Sequence, residues 1–204
     1  MAKALVYIHG KGGNAEEAEH YKALIPEYNV IGFDYQSQTP WEATREFSVY
    51  FDRLKNEFDS IVIIANSIGA FFAMNALSDV KLEKAFFISP IVNMEKLITD
   101  MMQWAGVDEQ ELMKRGRIET VFGETLSMEY LTWVRNHPVS WTIPTSILYG
   151  GNDNLQSLDT IKAFAEKTGA DLTVMEKGEH WFHTEVQLDF LDQWICRYDN
   201  IITI

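Results

Sequence analysis

Ser67 is the residue whose setting most directly suggests chemistry. It lies in Ala65-Asn66-Ser67-Ile68-Gly69, just after the apolar run Ser60–Ala65 and at the head of a helical pattern through Leu77. A serine in a sharp strand–turn–helix junction has its hydroxyl lifted above the sheet and set at a helix N-terminus. The helix dipole and free N–H groups there favour a developing negative charge. Ala65 stands where the G-x-S-x-G pattern has its first glycine, one methyl larger, and Gly69 supplies the second. A serine hydroxyl is a weak nucleophile until a base takes its proton. His180 follows another predicted strand, and histidine is the side chain that titrates near neutral pH. Asp153, in Tyr149-Gly150-Gly151-Asn152-Asp153, follows a third. Taken singly, each has a plain reading: helix N-cap for Ser67, turn residue for Asp153, loop histidine for His180.

Other constellations compete. Gly10-x-Gly12-x-x-Ala15 also follows a strand and opens a helical pattern, with Asp34 at the end of the next strand. That spacing fits a dinucleotide-binding oxidoreductase, with Asp34 on the ribose. It leaves His9, Ser67, Asp153 and His180 without a role. His183 competes with His180 for the base but lies a turn into the predicted last helix, and Asp34 precedes the serine. Ser89 is blocked as a nucleophile by Pro90 and is expected to hydrogen-bond at a strand end. His20 and His137 are read as surface residues. His180-x-x-His183 lacks the H-E-x-x-H form and a third placed ligand, so neither metal nor cofactor is expected.

The elements that must carry these residues alternate. Ala4–Ile8, Val30–Tyr35, Ser60–Ala65, Lys84–Ser89, Thr145–Tyr149 and Leu172–Met175 read as strands. Asn14 to about Ile25, Thr39-Pro40 to about Phe58, Ser67–Leu77, Leu158–Lys167 and Phe182–Arg197 read as helices. This order predicts an α/β fold: a three-layer α/β/α sandwich around a mostly parallel sheet of about six strands. Ligands in such sheets bind beyond the carboxyl ends of the strands, where Ser67, Asp153 and His180 all fall. The interval 91–143 breaks the alternation. It holds helical patterns at Met94–Trp104, Glu109–Arg115 and Ser127–Asn136 and no convincing strand, so it is expected to be a helical cap inserted into a single domain over 1–204.

Together these residues resemble the α/β-hydrolase superfamily, and the resemblance spans essentially the whole chain. Family triads run Ser, then Asp or Glu, then His, which Ser67, Asp153 and His180 match in order. Tyr149 to Asp153 looks like the family's acid turn, and Gly178-Glu179-His180-Trp181-Phe182 like its histidine loop. His9-Gly10-Lys11-Gly12-Gly13 resembles the oxyanion loop, so the chain would be a compact member starting at that strand. The resemblance implies Ser67 as nucleophile, His180 as base and Asp153 as its orienting acid. The backbone N–H groups of Lys11 and Ile68 would bind the oxyanion.

Composition bounds the partners. The 204 residues sum to a formal charge of −13, which argues against nucleic acid and anionic membrane surfaces. One cysteine, Cys196, precludes an internal disulfide and fits a reducing compartment, and no apolar run approaches membrane-spanning length, so a cytoplasmic location is expected. Oligomeric state is not legible. Five of the eight Met (Met94, Met101, Met102, Met113, Met128) and three of the six Trp (Trp104, Trp133, Trp141) lie in or beside the insertion. Met and Trp suit irregular apolar ligands as well as a small core. Asn66, Met94, Met101, Trp104, Trp133 and Trp181 are the expected substrate-pocket residues. The expected reaction is cleavage of a small, partly apolar carboxylic ester through an acyl-enzyme. A thioesterase, amidase or C–C hydrolase would share the machinery, and a non-catalytic binding protein could share the fold.

Overall fold

The apolar runs assemble as one sheet. The structure, a computed structural model, describes residues 2–199. In chain order, β1 is Lys3–Ile8, followed by a 3-10 turn at Ala15–Ala18 and α1 at Glu19–Lys22. Then come β2 (Asn29–Gly32), α2 (Pro40–Glu57), β3 (Ser60–Asn66), α3 (Ile68–Ala76) and β4 (Lys84–Ile88). α4 (Met94–Ala105), α5 (Glu109–Arg115), β5 (Arg117–Glu119), β6 (Thr125–Ser127) and α6 (Met128–Asn136) occupy the insertion. β7 (Thr145–Gly150), α7 (Leu158–Thr168), β8 (Asp171–Met175) and α8 (Glu185–Asp199) complete the chain.

The sheet has six strands in the order β2-β1-β3-β4-β7-β8, and every neighbouring pair is parallel. Strands buried on both faces carry near-continuous apolar runs, as β1, β3 and β7 do. Leu5, Tyr7, Val62, Ile64, Phe86 and Ile88 form one face, packed against Tyr21, Ile25, Leu191 and Trp194. The chain runs from β1 outward to β2, then returns to place β3 on the other side of β1. That reversal opens a crevice beyond the ends of β1 and β3, where ligands of such sheets bind.

α2 shows why the sequence forms its elements. Thr39 accepts from the Glu42 N–H while the Glu42 carboxylate accepts from the Thr39 N–H at 3.1 Å, a reciprocal cap. Pro40 takes the first helical position, and Ala43, Phe47, Phe51 and Leu54 make the buried stripe.

Residues 93–139 cluster as a second compact unit, distinct from the sheet unit of 1–92 and 140–204. It is not purely helical: β5 and β6 pair antiparallel, with Ile118 opposite Leu126 and both buried. Strands of three residues are too short to display a period of two, which is why the sequence shows no strand there. Arg135 ties the unit's helices, reaching Glu95 at 2.7 Å and Glu109 at 2.7 and 3.0 Å.

Three element boundaries also differ from expectation. The first helix is a 3-10 turn and one α turn, β2 ends at Gly32, and α8 begins at Glu185 rather than Phe182. The residues 182–184 instead extend the loop that carries His180. No helix among the described residues is long and apolar enough to cross a membrane.

Candidate active site

β3 delivers Ser67 to the crevice. Its backbone sits at φ 53°, ψ −120°, outside the extended region that an N-cap residue adopts, and its side chain makes no cap bond. The strain follows from reversing direction between β3 and α3 within one residue, and strained backbone of this kind clusters at active sites. Gly69 permits the turn: a methyl group there would stand 2.4 Å from the His9 carbonyl oxygen. The helix is therefore able to start hard against the end of β1.

The acid and base arrive from the other side of the sheet. Gly150 and Gly151 let β7 end against the loop after β8, because Cβ atoms there would lie 2.4 Å from Glu179 O and 2.3 Å from Glu176 O. Gly151 N–H donates to Met175 O and Asn152 N–H to Gly178 O, each at 2.8 Å, which locks the two loops together. Asp153 and His180 are thereby brought into contact although 27 positions separate them.

One chain of hydrogen bonds joins the three residues. Ser67 Oγ lies 2.8 Å from His180 Nε2, and His180 Nδ1 lies 2.6 Å from Asp153 Oδ2. A carboxylate can only accept, so Nδ1 carries the ring proton and Nε2 is left to accept from Ser67. The second carboxylate oxygen of Asp153 accepts from Leu155 N–H at 2.7 Å and Gln156 N–H at 3.2 Å. One oxygen of Asp153 thus serves its own turn and the other meets His180. The Asp153 side chain is fully buried and that of His180 is 18% exposed. Beside them, Tyr149 donates to Gln156 O at 2.7 Å. Its hydroxyl is pushed up to about 12, first by burial and then by the Asp153 carboxylate.

The remaining expected residues divide. Ile68 opens α3, and its N–H finds no acceptor among the described residues, as expected at a helix start. Lys11 lies in the turn after β1. Asn66 is the last residue of β3, half-buried, and its Oδ1 has no partner. Trp181 is 67% exposed and stacks on His183 at 4.6 Å. His183 Nδ1 donates to Trp181 O at 2.7 Å and takes no part in the Ser67 chain. Met94, Met101, Trp104 and Trp133 belong to the second unit. There Trp104 sets its edge to Phe122 and Trp133 stacks on His137 at 4.2 Å. His20 pairs with Asp192 at 2.7 Å on the surface. Ser89 departs from expectation: only its backbone bonds, to Leu148 O, while its buried hydroxyl has no partner. Ser89 adopts a positive φ of 43° just past the end of β4.

The glycine loop does not form a dinucleotide cradle. A 3-10 turn of four residues follows it in place of a helix, and the Glu17 carboxylate lies 2.8 Å from where a Gly13 Cβ would be. A carboxylate at that point repels a pyrophosphate, which needs a helix N-terminus instead. Asp34 accepts from the Gln36 side chain at 3.1 Å. Among the described residues no group of three or more His, Cys, Asp or Glu is arranged to hold a metal ion.

Tyr7, Glu17 and Tyr35 were not singled out by type or spacing, yet they pack against this loop. Tyr35 donates to His9 O at 2.8 Å and stacks on the His9 ring at 4.2 Å. The spacing of Asn14 and Glu17, an N-cap with an acid three residues on, is the readable signal for one of them.

No protein-family model matches the chain. A curated Mycoplasma genitalium protein named "Putative esterase/lipase 3" is 30% identical over 76 residues, 36% of this chain and 27% of that protein. The match thus spans about a quarter of that relative's length. Alpha/beta hydrolase domain-containing protein 10 from mouse superposes with a TM-score of 0.76 at 15% identity, covering 98% of this chain and 90% of that one. Est1E from Butyrivibrio proteoclasticus superposes with a TM-score of 0.73 at 16% identity, covering 97% and 86%. A structure of Est1E with ferulic acid bound gives a TM-score of 0.69 at 15% identity, covering 97% and 88%. The chain has the α/β-hydrolase fold.

Proposed function

We propose that the protein is a serine hydrolase that cleaves a small, partly apolar carboxylic ester. The observation that carries this reading is the continuous hydrogen-bonded chain from Ser67 through His180 to Asp153 at the sheet's switch point. Ser67 Oγ attacks the ester carbonyl as His180 Nε2 takes its proton. Asp153 holds the ring in the tautomer that can accept and stabilises the imidazolium that forms. The N–H groups of Ile68 and Lys11 receive the charge on the carbonyl oxygen. His180 returns the proton to the leaving alcohol, giving the free alcohol and an acyl-Ser67. A water molecule, deprotonated by His180, then attacks the acyl carbon, and the proton passes back to Ser67 as the acid departs.

Within the sheet unit, substrate choice is assigned to Asn66 beside the nucleophile and to Trp181 beside the base. Trp181, exposed in the loop that carries His180, supports an apolar or aromatic acyl or alcohol group. Est1E, one structure of which holds ferulic acid, supports the same class. The single cysteine supports a reducing, cytoplasmic setting.

A fluorophosphonate probe is expected to label the wild-type protein and to leave Ser67→Ala unlabelled. Equal labelling of both, or of neither, overturns the assignment. Turnover of p-nitrophenyl esters of graded chain length then ranks the acyl preference.

A further inference from the structure

We propose that Tyr7 and Glu17 are positioning residues, forming a clamp that holds the loop after β1 against the Ser67 turn. The proposal rests on Ser67 being the nucleophile. Tyr7 pairs with Ile64 in the parallel ladder, so Tyr7, Ile64 and Asn66 point to the same face of the sheet. Asn66 lies two positions beyond Ile64, diagonal to Tyr7 across the ladder. Tyr7 donates to Glu17 Oε2 at 2.5 Å, a short charge-assisted bond. The other oxygen of Glu17 accepts from Asn14 N–H at 3.3 Å, and Gly13 N–H donates to Gly10 O at 3.2 Å. Gly10 closes the circuit, since a Cβ on it would stand 3.2 Å from Ser67 Cβ.

A chain of bonds therefore ties Tyr7 on β1 to the far end of the loop at Asn14, while the loop's near end at Gly10 packs against Ser67. Tyr7 is buried at 3% exposure, while Glu17 reaches its hydroxyl from the surface. The two residues act on the reacting atoms only through the loop. Their effect belongs to geometry, where a displacement of about 1 Å at a reacting centre can cost up to a hundredfold in rate. Bonds that polarise one another along such a path act as a unit, so removing either member breaks the whole.

The test compares Tyr7→Phe, Glu17→Ala, Glu17→Gln and the double variant Tyr7→Phe/Glu17→Ala. It reads kcat and KM on an aryl ester, the rate of fluorophosphonate labelling, and the urea midpoint. Tyr7→Phe and Glu17→Ala are each expected to lower kcat and labelling rate about ten- to a hundredfold, with KM within about twofold. The double variant is expected to be no slower than the worse single one. Glu17→Gln keeps an oxygen that accepts from Tyr7 and is expected to recover most of the loss. Lower urea midpoints with wild-type kcat and labelling rate would mean a purely structural pair and overturn the proposal. Should Tyr7→Phe not fold, the surface change Glu17→Ala decides it alone. Labelling of the wild type with unchanged variants overturns this proposal only, whereas an unlabelled wild type overturns the nucleophile reading and the clamp with it.

Discussion

Asp153 divides its two oxygens between two tasks, and the division says how the site is held. Oδ1 is fixed by two backbone N–H groups of its own turn, so Oδ2 meets His180 from a rigid base. Asp153→Asn retains the shape but presents an amide to Nδ1, which favours the wrong ring tautomer. It is expected to lower kcat about 10³- to 10⁴-fold with little change in urea midpoint, measured on an aryl ester beside the wild type. The residue types and their order along the chain are legible without coordinates, because each follows an apolar run that reads as a strand. The choice between N-cap and strained turn at Ser67 is not, because the two differ in a dihedral angle and not in residue type. Position along the chain favours His180 over His183, but α8 begins only at Glu185, so the ground that holds is that the His180 ring reaches Ser67.

At the scale of elements, α2 illustrates a helix whose start, stripe and length are all written locally. Phe47 is fully buried and meets Phe33 and Tyr35 edge-on at 4.8 and 5.2 Å. Phe47→Ala leaves a cavity between helix and sheet and is expected to cost about 3–5 kcal/mol, read from urea unfolding. The helix that follows β1 is the opposite case. It is a 3-10 turn and one α turn that ends at Lys22, ahead of Pro26, although Asn14 and Glu17 cap its start. The hairpin of β5 and β6 likewise leaves no signal in the sequence. Its pairing depends on the Thr120–Gly123 turn, with Gly123 at φ 84°, and on burial of Ile118 and Leu126, none of which makes a repeating pattern.

At the scale of the molecule, burial of tyrosine sets a limit at high pH. Tyr149 is pushed up to about 12, and Tyr7, Tyr21 and Tyr35 are raised, in each case first by burial. The unfolded chain loses these protons near the ordinary tyrosine value of about 10, before the folded protein does. Between those values the unfolded state binds fewer protons, so stability falls as pH rises. Urea midpoints are expected to be level from about pH 8 to 9.5 and to drop toward pH 12, with tyrosinate absorbance appearing together with unfolding. The sheet order also belongs to this scale. Alternating strands and helices imply parallel pairing, but several orders satisfy that rule, and only the packed sheet places the ends of β1 and β3 at the reversal. By itself the amino-acid sequence determined the strands, most helices and the direction of pairing, and singled out Ser67, Asp153 and His180 as candidates, because apolar period, caps and turn residues are local. The tertiary structure alone decided the strand order, the strained turn at Ser67, the sharing of Asp153 and the link from Tyr7 to Glu17. Those depend on close approach between segments far apart in the chain, which no local pattern records.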